Sequence, residues 1–236
     1  MSAAARVKRG ETPLAVDTDR LVCIPTMEGS PRRTGDARAR LLDAALKAIR
    51  TRGYEATSVE QLCLAAGVTK GAFFHHFRSK EDLGTAAATR FLEWLEGLFA
   101  RSGWRDRDDP LDRVLAYIDF RTAILRGEIP HFTCLLGMMV QETYATHPAL
   151  RAACEAGIQS HLAPLEAEID AALAARGIAG VPAAGLALHI MAVIQGGFVL
   201  AKAAGGPAPA IEAMRHLRRY VELLFAAPDQ GQGTAP

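Results

Sequence analysis

Cysteine is scarce in this chain, and its spacing suits no common chemistry. The four residues, at positions 23, 63, 134 and 154 of 236, form no CxxC pair, which argues against a disulfide framework or a zinc module. No G-x-S-x-G elbow, phosphate loop or HExxH helix is present. An enzyme is therefore not expected, and neither a cofactor nor a metal. The N-terminus carries no apolar run of signal-peptide type, so the cytoplasm is the expected location. Long hydrophobic runs are missing as well, with one exception at residues 183–204. His189, Gln195, Lys202 and the Gly196–Gly197 pair interrupt it, which favours a packed helix over a membrane span.

Period-two alternation is nearly absent, whereas apolar residues at helical spacing recur, so the fold class expected is all-α. A net charge of +1 conceals an asymmetry. Between Arg32 and Lys80 there are ten Lys/Arg against four Asp/Glu, and from Glu81 onward thirteen against eighteen. A basic early segment on a mildly acidic body is the pattern expected when one part meets a polyanion.

The basic segment reads as three short helices. Asp36 caps a helix running to Arg52, with Leu42, Ala45, Leu46 and Ile49 on one stripe and Gly53 as its stop. Ser58, followed by Gln61 three residues on, makes a capping box for a second helix that Gly67 ends. Thr69 caps a third. Its Phe73 and Phe77, at i and i+4, form an inner face, leaving Lys70, Gly71, Phe74 and His75 pointing outward. Two short helices joined by a tight glycine turn and backed by a supporting helix describe a helix-turn-helix. The plainer alternative is a helical hairpin with a solvated basic face.

The stretch GYEATSVEQLCLAAGVTKGAFFHHFRSKEDL, within residues 37–83, resembles the DNA-binding signature of the TetR family of transcriptional regulators. The resemblance implies an N-terminal three-helix helix-turn-helix domain and a larger C-terminal helical ligand-binding and dimerisation domain. It also implies a homodimer, usually a repressor, partnered by a palindromic operator and a small-molecule effector. The corresponding boundaries are a flexible basic arm at 1–35, the helix-turn-helix at 36–82, the effector and dimer domain at 83–226 and a disordered tail at 227–236. Carried over by position, the first recognition contacts fall on Ser58, Lys70, Gly71 and Ala72, while Phe74, His75, His76 and Lys80 serve backbone and groove-edge contacts. Phe74 stands where the family usually has tyrosine, which removes a phosphate-directed hydroxyl but permits stacking or contact with a thymine methyl. His76 can equally be a structural histidine. Arg32 and Arg33 of the PRRTG loop would add charge beside the DNA.

Beyond Lys80 the periodicity predicts helices over 80–101, 110–126, 131–146, 148–176 (kinked at Pro164), from 181 to about 204, and 210–225. In the family the last two helices pair with their twins. Gly185, Ala192, Gly196, Gly197 and Ala201 would allow close approach, and Leu217, Val221 and Leu224 would supply apolar contact. QGGFVLAKA at 195–203 resembles a segment common at this position in the family.

Candidate effector-binding residues are Phe91, Trp94, Tyr117, Phe120, Phe132, Cys134, Leu135, Met138, Met139, Glu142, His189 and Phe198. Their aromatics and methionines suit a mainly apolar molecule, with Glu142 or His189 orienting a polar group. The alternative for each is plain core. TCLLGMMVQE at 133–142 resembles the GCLxGNLxxE stretch of a TetR subgroup that includes regulators of acrylate metabolism and of electrophile responses. Thr133 replaces its glycine and Met138 its asparagine. That resemblance implies Cys134 as an electrophile or redox sensor, against the alternative of an inert buried thiol. His131 and Cys134 could share a metal, but no third ligand is evident. Besides a ligand-released repressor, a constitutive DNA-binding protein without an effector fits the same residues.

Overall fold

The computed structural model describes residues 37–226. The arm, its Arg32 and Arg33, the Asp36 cap and the C-terminal tail lie outside the described residues. Ten helices follow in order: α1 (Ala37–Arg52), α2 (Val59–Ala66), α3 (Lys70–His76), α4 (Lys80–Ala100), α5 (Pro110–Ala123), α6 (Ile129–Phe132), α7 (Leu135–Thr143), α8 (Pro148–Ala175), α9 (Ala183–Ala204) and α10 (Ala208–Ala226). No strand occurs among the described residues.

The first three helices start and stop where local chemistry dictates. Ser58 and Gln61 satisfy each other's backbone N–H groups at 3.2 and 3.1 Å, a complete capping box for α2. Gly67 closes that helix in the left-handed conformation (φ 62°), which a side chain would resist. Thr69 then accepts from the Ala72 N–H at 3.1 Å and opens α3 only two residues later. Leu41, Leu42, Ala45, Leu46 and Ile49 of α1 join Leu62, Phe73 and Phe77 in one buried cluster. Removing the fully buried Phe73 ring would cost about 3–5 kcal/mol, because α2 and α3 are too short to stand without this core.

The larger C-terminal region is layered around α8. That helix packs against α4, α5, α7 and α9, and α10 closes over α5 and α9. It runs unbroken through Pro164. α9 is long and apolar enough to cross a membrane by length and composition, but here it packs against α8 and α10.

Between α5 and α8 the structure differs from the expected pattern. The helix expected over 131–146 is two, with Thr133 and Cys134 extended between α6 and α7. The thiol of Cys134 accepts the Gly137 N–H at 3.4 Å and so caps α7, satisfying a donor that a continuous helix would have used elsewhere. α5 also ends earlier than expected, at Ala123, with Gly127 in the left-handed region just beyond.

Candidate nucleic-acid interface and effector cavity

α3 divides its side chains cleanly. Phe73 is fully buried and Phe77 nearly so, while Lys70, Gly71, Phe74 and His75 face solvent; Ala72 and His76 are half-buried. Phe74 is 54% exposed with its ring edge on Phe73. A Cβ added at Gly71 would meet only the Thr69 hydroxyl, at 3.8 Å. No internal packing requires glycine there, so the open surface it leaves is available to an outside partner.

Two cations are more committed than their sequence positions imply. Lys70 forms an ion pair with Glu60 of α2; hydrogen bonding from Lys70 holds the Glu60 carboxyl down to about 2. Both side chains are exposed, so solvent screening keeps the pair weak and exchangeable for a phosphate. Lys80 does not project freely. It donates to the Tyr54 carbonyl at 3.1 Å, and its ammonium lies 4.2 Å from the Tyr54 ring centroid. The Ser58 hydroxyl is likewise engaged in its capping box.

The body contains a cavity of about 30 Å³, room for a water or two, bounded by α1, α4, α5, α6, α7, α8 and α9. Of the expected effector residues, Phe91, Trp94, Phe132, Cys134 and Phe198 line it. Tyr117, Phe120, Leu135 and Met139 are buried but absent from its wall, and Met138 is half-buried away from it. Their side chains fill the packing between helices, which helical spacing alone could not separate from a cavity wall. His189 is exposed on the outer side of α9, with its ring centroid 5.1 Å from that of Tyr220.

Glu142 is also not a cavity residue. Its carboxylate accepts the Glu55 backbone N–H at 2.8 Å, across the boundary between α7 and the α1–α2 turn. A Cβ at Gly53 would lie 2.4 Å from the Glu142 Oε1, and Gly53 has φ 98°, so that turn tolerates only glycine. Beside it, the Tyr54 and His147 rings meet edge to face at 5.5 Å. One end of α7 thus lines the cavity through Cys134 and the other holds the helix-turn-helix.

The sequence reading missed the cavity's polar groups. Arg50, in the last turn of α1, is 2% exposed, and its Nε and Nη1 have no hydrogen-bond partner. Its guanidinium lies 5.6 Å from the Phe91 ring centroid and 5.9 Å from that of Trp94. Burial pushes its pKa down to about 10, with a smaller opposing influence from Cys134; the group is still charged at neutral pH. The hydroxyl of Thr133 is buried and unpartnered in the same wall. Arg121 and His161 also line the cavity, tied together through Tyr117: Arg121 donates to the Tyr117 hydroxyl at 3.2 Å and to His161 Nε2. Burial first and Arg121 second push His161 down to about 2, keeping it neutral. A signal for Arg50 existed: it continues the i+4 row of Leu42 and Leu46, an inward position holding a charge.

Among the described residues no three His, Cys, Asp or Glu side chains converge as a metal site. His131 instead accepts the Glu128 N–H at 3.3 Å through Nδ1.

A wedge of two short capped helices, carried by α1 on an all-helical body, defines a helix-turn-helix regulator rather than an enzyme. Residues 41–87 match the model described as bacterial regulatory proteins, tetR family, and residues 110–217 match the tetracyclin repressor-like C-terminal domain. The chain belongs to the TetR family.

Its curated relatives include the transcriptional repressor KstR2 of Mycolicibacterium smegmatis, 34% identical over 70 residues. That match covers 30% of this chain and only 34% of KstR2, about a third of its length. YxaF, an HTH-type transcriptional regulator of Bacillus subtilis, is 28% identical over 173 residues, covering 70% of this chain and 85% of its own. A TetR regulator from Chloroflexus aurantiacus superposes with a TM-score of 0.69 at 28% identity, over 79% of this chain and 94% of that one. CifR, solved with 26-base-pair operator DNA, shares the fold at a TM-score of 0.66 and 20% identity, over 80% and 98% of the two chains.

Proposed function

We propose that this protein is a homodimeric transcriptional repressor, bound to a near-palindromic operator through α2 and α3 and released by a small molecule entering the central cavity. The observation that carries the reading is the outward face of α3. Lys70, Gly71, Phe74 and His75 are presented together, with no internal packing role for the glycine and with more than half of the Phe74 side chain open to solvent. KstR2 being a repressor and CifR having been solved on its operator support the same reading.

The outer faces of α9 and α10 support dimerisation. Leu188, Val199 and Leu200 of α9 and Tyr220 and Leu223 of α10 are each 46–58% exposed, a stripe that soluble monomers seldom leave open. Gly185, Ala192 and Gly196 lie among them and are also exposed. The other residues expected at that contact are used within the chain: Gly197 packs on Ala210, Ala201, Leu217 and Val221 are buried, and Leu224 is half-buried against the core. The stripe thus combines Gly185, Ala192 and Gly196 with larger apolar neighbours. Two copies joined there would present their α3 helices to successive major grooves, about 34–36 Å apart. DNA as the partner places the protein in the cytoplasm.

Release requires the cavity to open, because its present volume admits only water-sized guests. A ligand that prefers the opened arrangement shifts the population toward it, and α7 conveys the change to the α1–α2 turn through Glu142. Cys134 is placed to react there, half-buried in the cavity wall at the head of α7. Constitutive DNA binding is the second reading, favoured by the small volume. The unpartnered Arg50 and Thr133 favour an effector instead. Footprinting on the DNA upstream of the protein's own gene tests the proposal: protection of a two-fold-symmetric site supports it, and uniform protection or none contradicts it.

A further inference from the structure

A buried guanidinium without an acceptor is costly. Removing it from water forfeits hydration that only an anion or several hydrogen bonds can replace. Arg50 has neither for two of its nitrogens, and no Asp or Glu lines the cavity it faces. The charged or titratable lining groups are Arg50 itself, Arg121, His131, His161 and Cys134. Arg121 is turned to Tyr117 and His161, leaving Arg50 as the cation with donors to spare. The Thr133 hydroxyl adds a further unpartnered buried group to the wall. Apart from Gln195, whose amide N–H is turned to the Met191 sulfur, the rest of the lining is apolar and aromatic, including Phe91, Trp94, Leu98, Ile158 and Phe198.

We propose that the cavity, opened beyond its present water-sized volume, recognises a small monocarboxylic acid, its carboxylate paired with Arg50 and Thr133 and its apolar body lying among Phe91, Trp94 and Phe198. The carboxylate supplies both the missing charge and the missing acceptors, in a setting where charge-assisted hydrogen bonds are strong. The neighbouring aromatic and aliphatic surface rewards an apolar tail and excludes a heavily hydrated inorganic anion. Arg50 belongs to α1, the helix against which α2 and α3 pack. Binding there therefore acts on the helix-turn-helix directly, in addition to the route through α7. This inference deepens the effector reading above and rests on it for its regulatory meaning.

The test uses the full-length protein and calorimetric titration at about pH 7.5, where simple carboxylic acids are ionised. The probes are benzoate and hexanoate, each compared with its uncharged amide. The expected result is that at least one acid binds wild type about tenfold or more tightly than its amide, a difference near 1.4 kcal/mol. Arg50→Met should erase that preference and Arg50→Lys should keep part of it. Removal of an unpaired buried charge should leave Arg50→Met folded. Thr133→Val, a near-isosteric change, supplies an independent variant and should weaken acid binding while leaving the amide unaffected. Equal binding of acid and amide, binding of neither, or an acid preference that survives Arg50→Met overturns the proposal. Because no DNA is involved, an acid-selective cavity in a protein that binds no operator contradicts the regulatory reading and leaves the site standing.

Discussion

The Glu142 carboxylate accepts the backbone N–H of Glu55 at 2.8 Å, joining α7 to the turn between α1 and α2. Eight residues before Glu142, Cys134 caps the same helix and lines the cavity. A movement at the cavity end of α7 therefore displaces the acceptor that holds the helix-turn-helix. Glu142→Ala should lower stability by about 1 kcal/mol, the usual worth of one hydrogen bond. It should also reduce effector-driven operator release more than it reduces effector affinity. Chemical denaturation, with parallel titrations of effector and operator, measures these separately.

Gly71 offers a test that separates folding from recognition. A Cβ there meets only the Thr69 hydroxyl, at an ordinary 3.8 Å, and leucine is a better helix former than glycine by several tenths of a kcal/mol. Gly71→Leu should melt at the same temperature as wild type or higher. Its operator affinity should fall by about tenfold or more, since a branched side chain then holds the backbone away from the groove edge. Thermal melts and gel-shift titrations check the two halves.

The outer stripe of α9 and α10 predicts its own disruption. Leu200 is 54% exposed in the protomer, so Leu200→Asp should leave the protomer's fold intact. Sedimentation should show a monomer, and operator binding should weaken sharply because two half-sites no longer act together. An unchanged dimer would place the interface elsewhere.

His161 makes stability depend on pH. Its folded pKa is about 2 against an ordinary 6.5, so between those values the unfolded chain binds a proton that the folded protein refuses. Stability is thus full above about pH 6.5 and should decline by roughly 1 kcal/mol per pH unit below it. His161→Gln should flatten that slope, as followed by urea denaturation from neutral pH down to about pH 5.

The recognition wedge was legible in the sequence because its determinants are local. Ser58 with Gln61, Gly67 and Thr69 lie within a dozen residues, and each acts on the backbone beside it. The break at Thr133 and Cys134 was not, since helical periodicity continues across it and the cap depends on a thiol, a rare cap residue. Arg50 escaped for a different reason. Its burial is produced by α4, α6 and α7 closing over the end of α1, a long-range event without a short-range trace beyond the i+4 row. The contact of Glu142 was equally illegible, because its hydrogen-bond partner lies 87 residues earlier. On α9 the small residues drew attention, while the larger Leu188, Val199 and Leu200 beside them are also exposed.

The most direct measurement is the anisotropy of a fluorescent duplex carrying the upstream site, titrated with purified protein at two salt concentrations. The account predicts two protomers per site and clear preference over a scrambled duplex. It also predicts affinity falling by a factor of about 10³ or more between roughly 50 and 200 mM salt, as expected for six or more phosphate contacts. Binding by a monomer, or binding equally tight to the scrambled duplex, would contradict it.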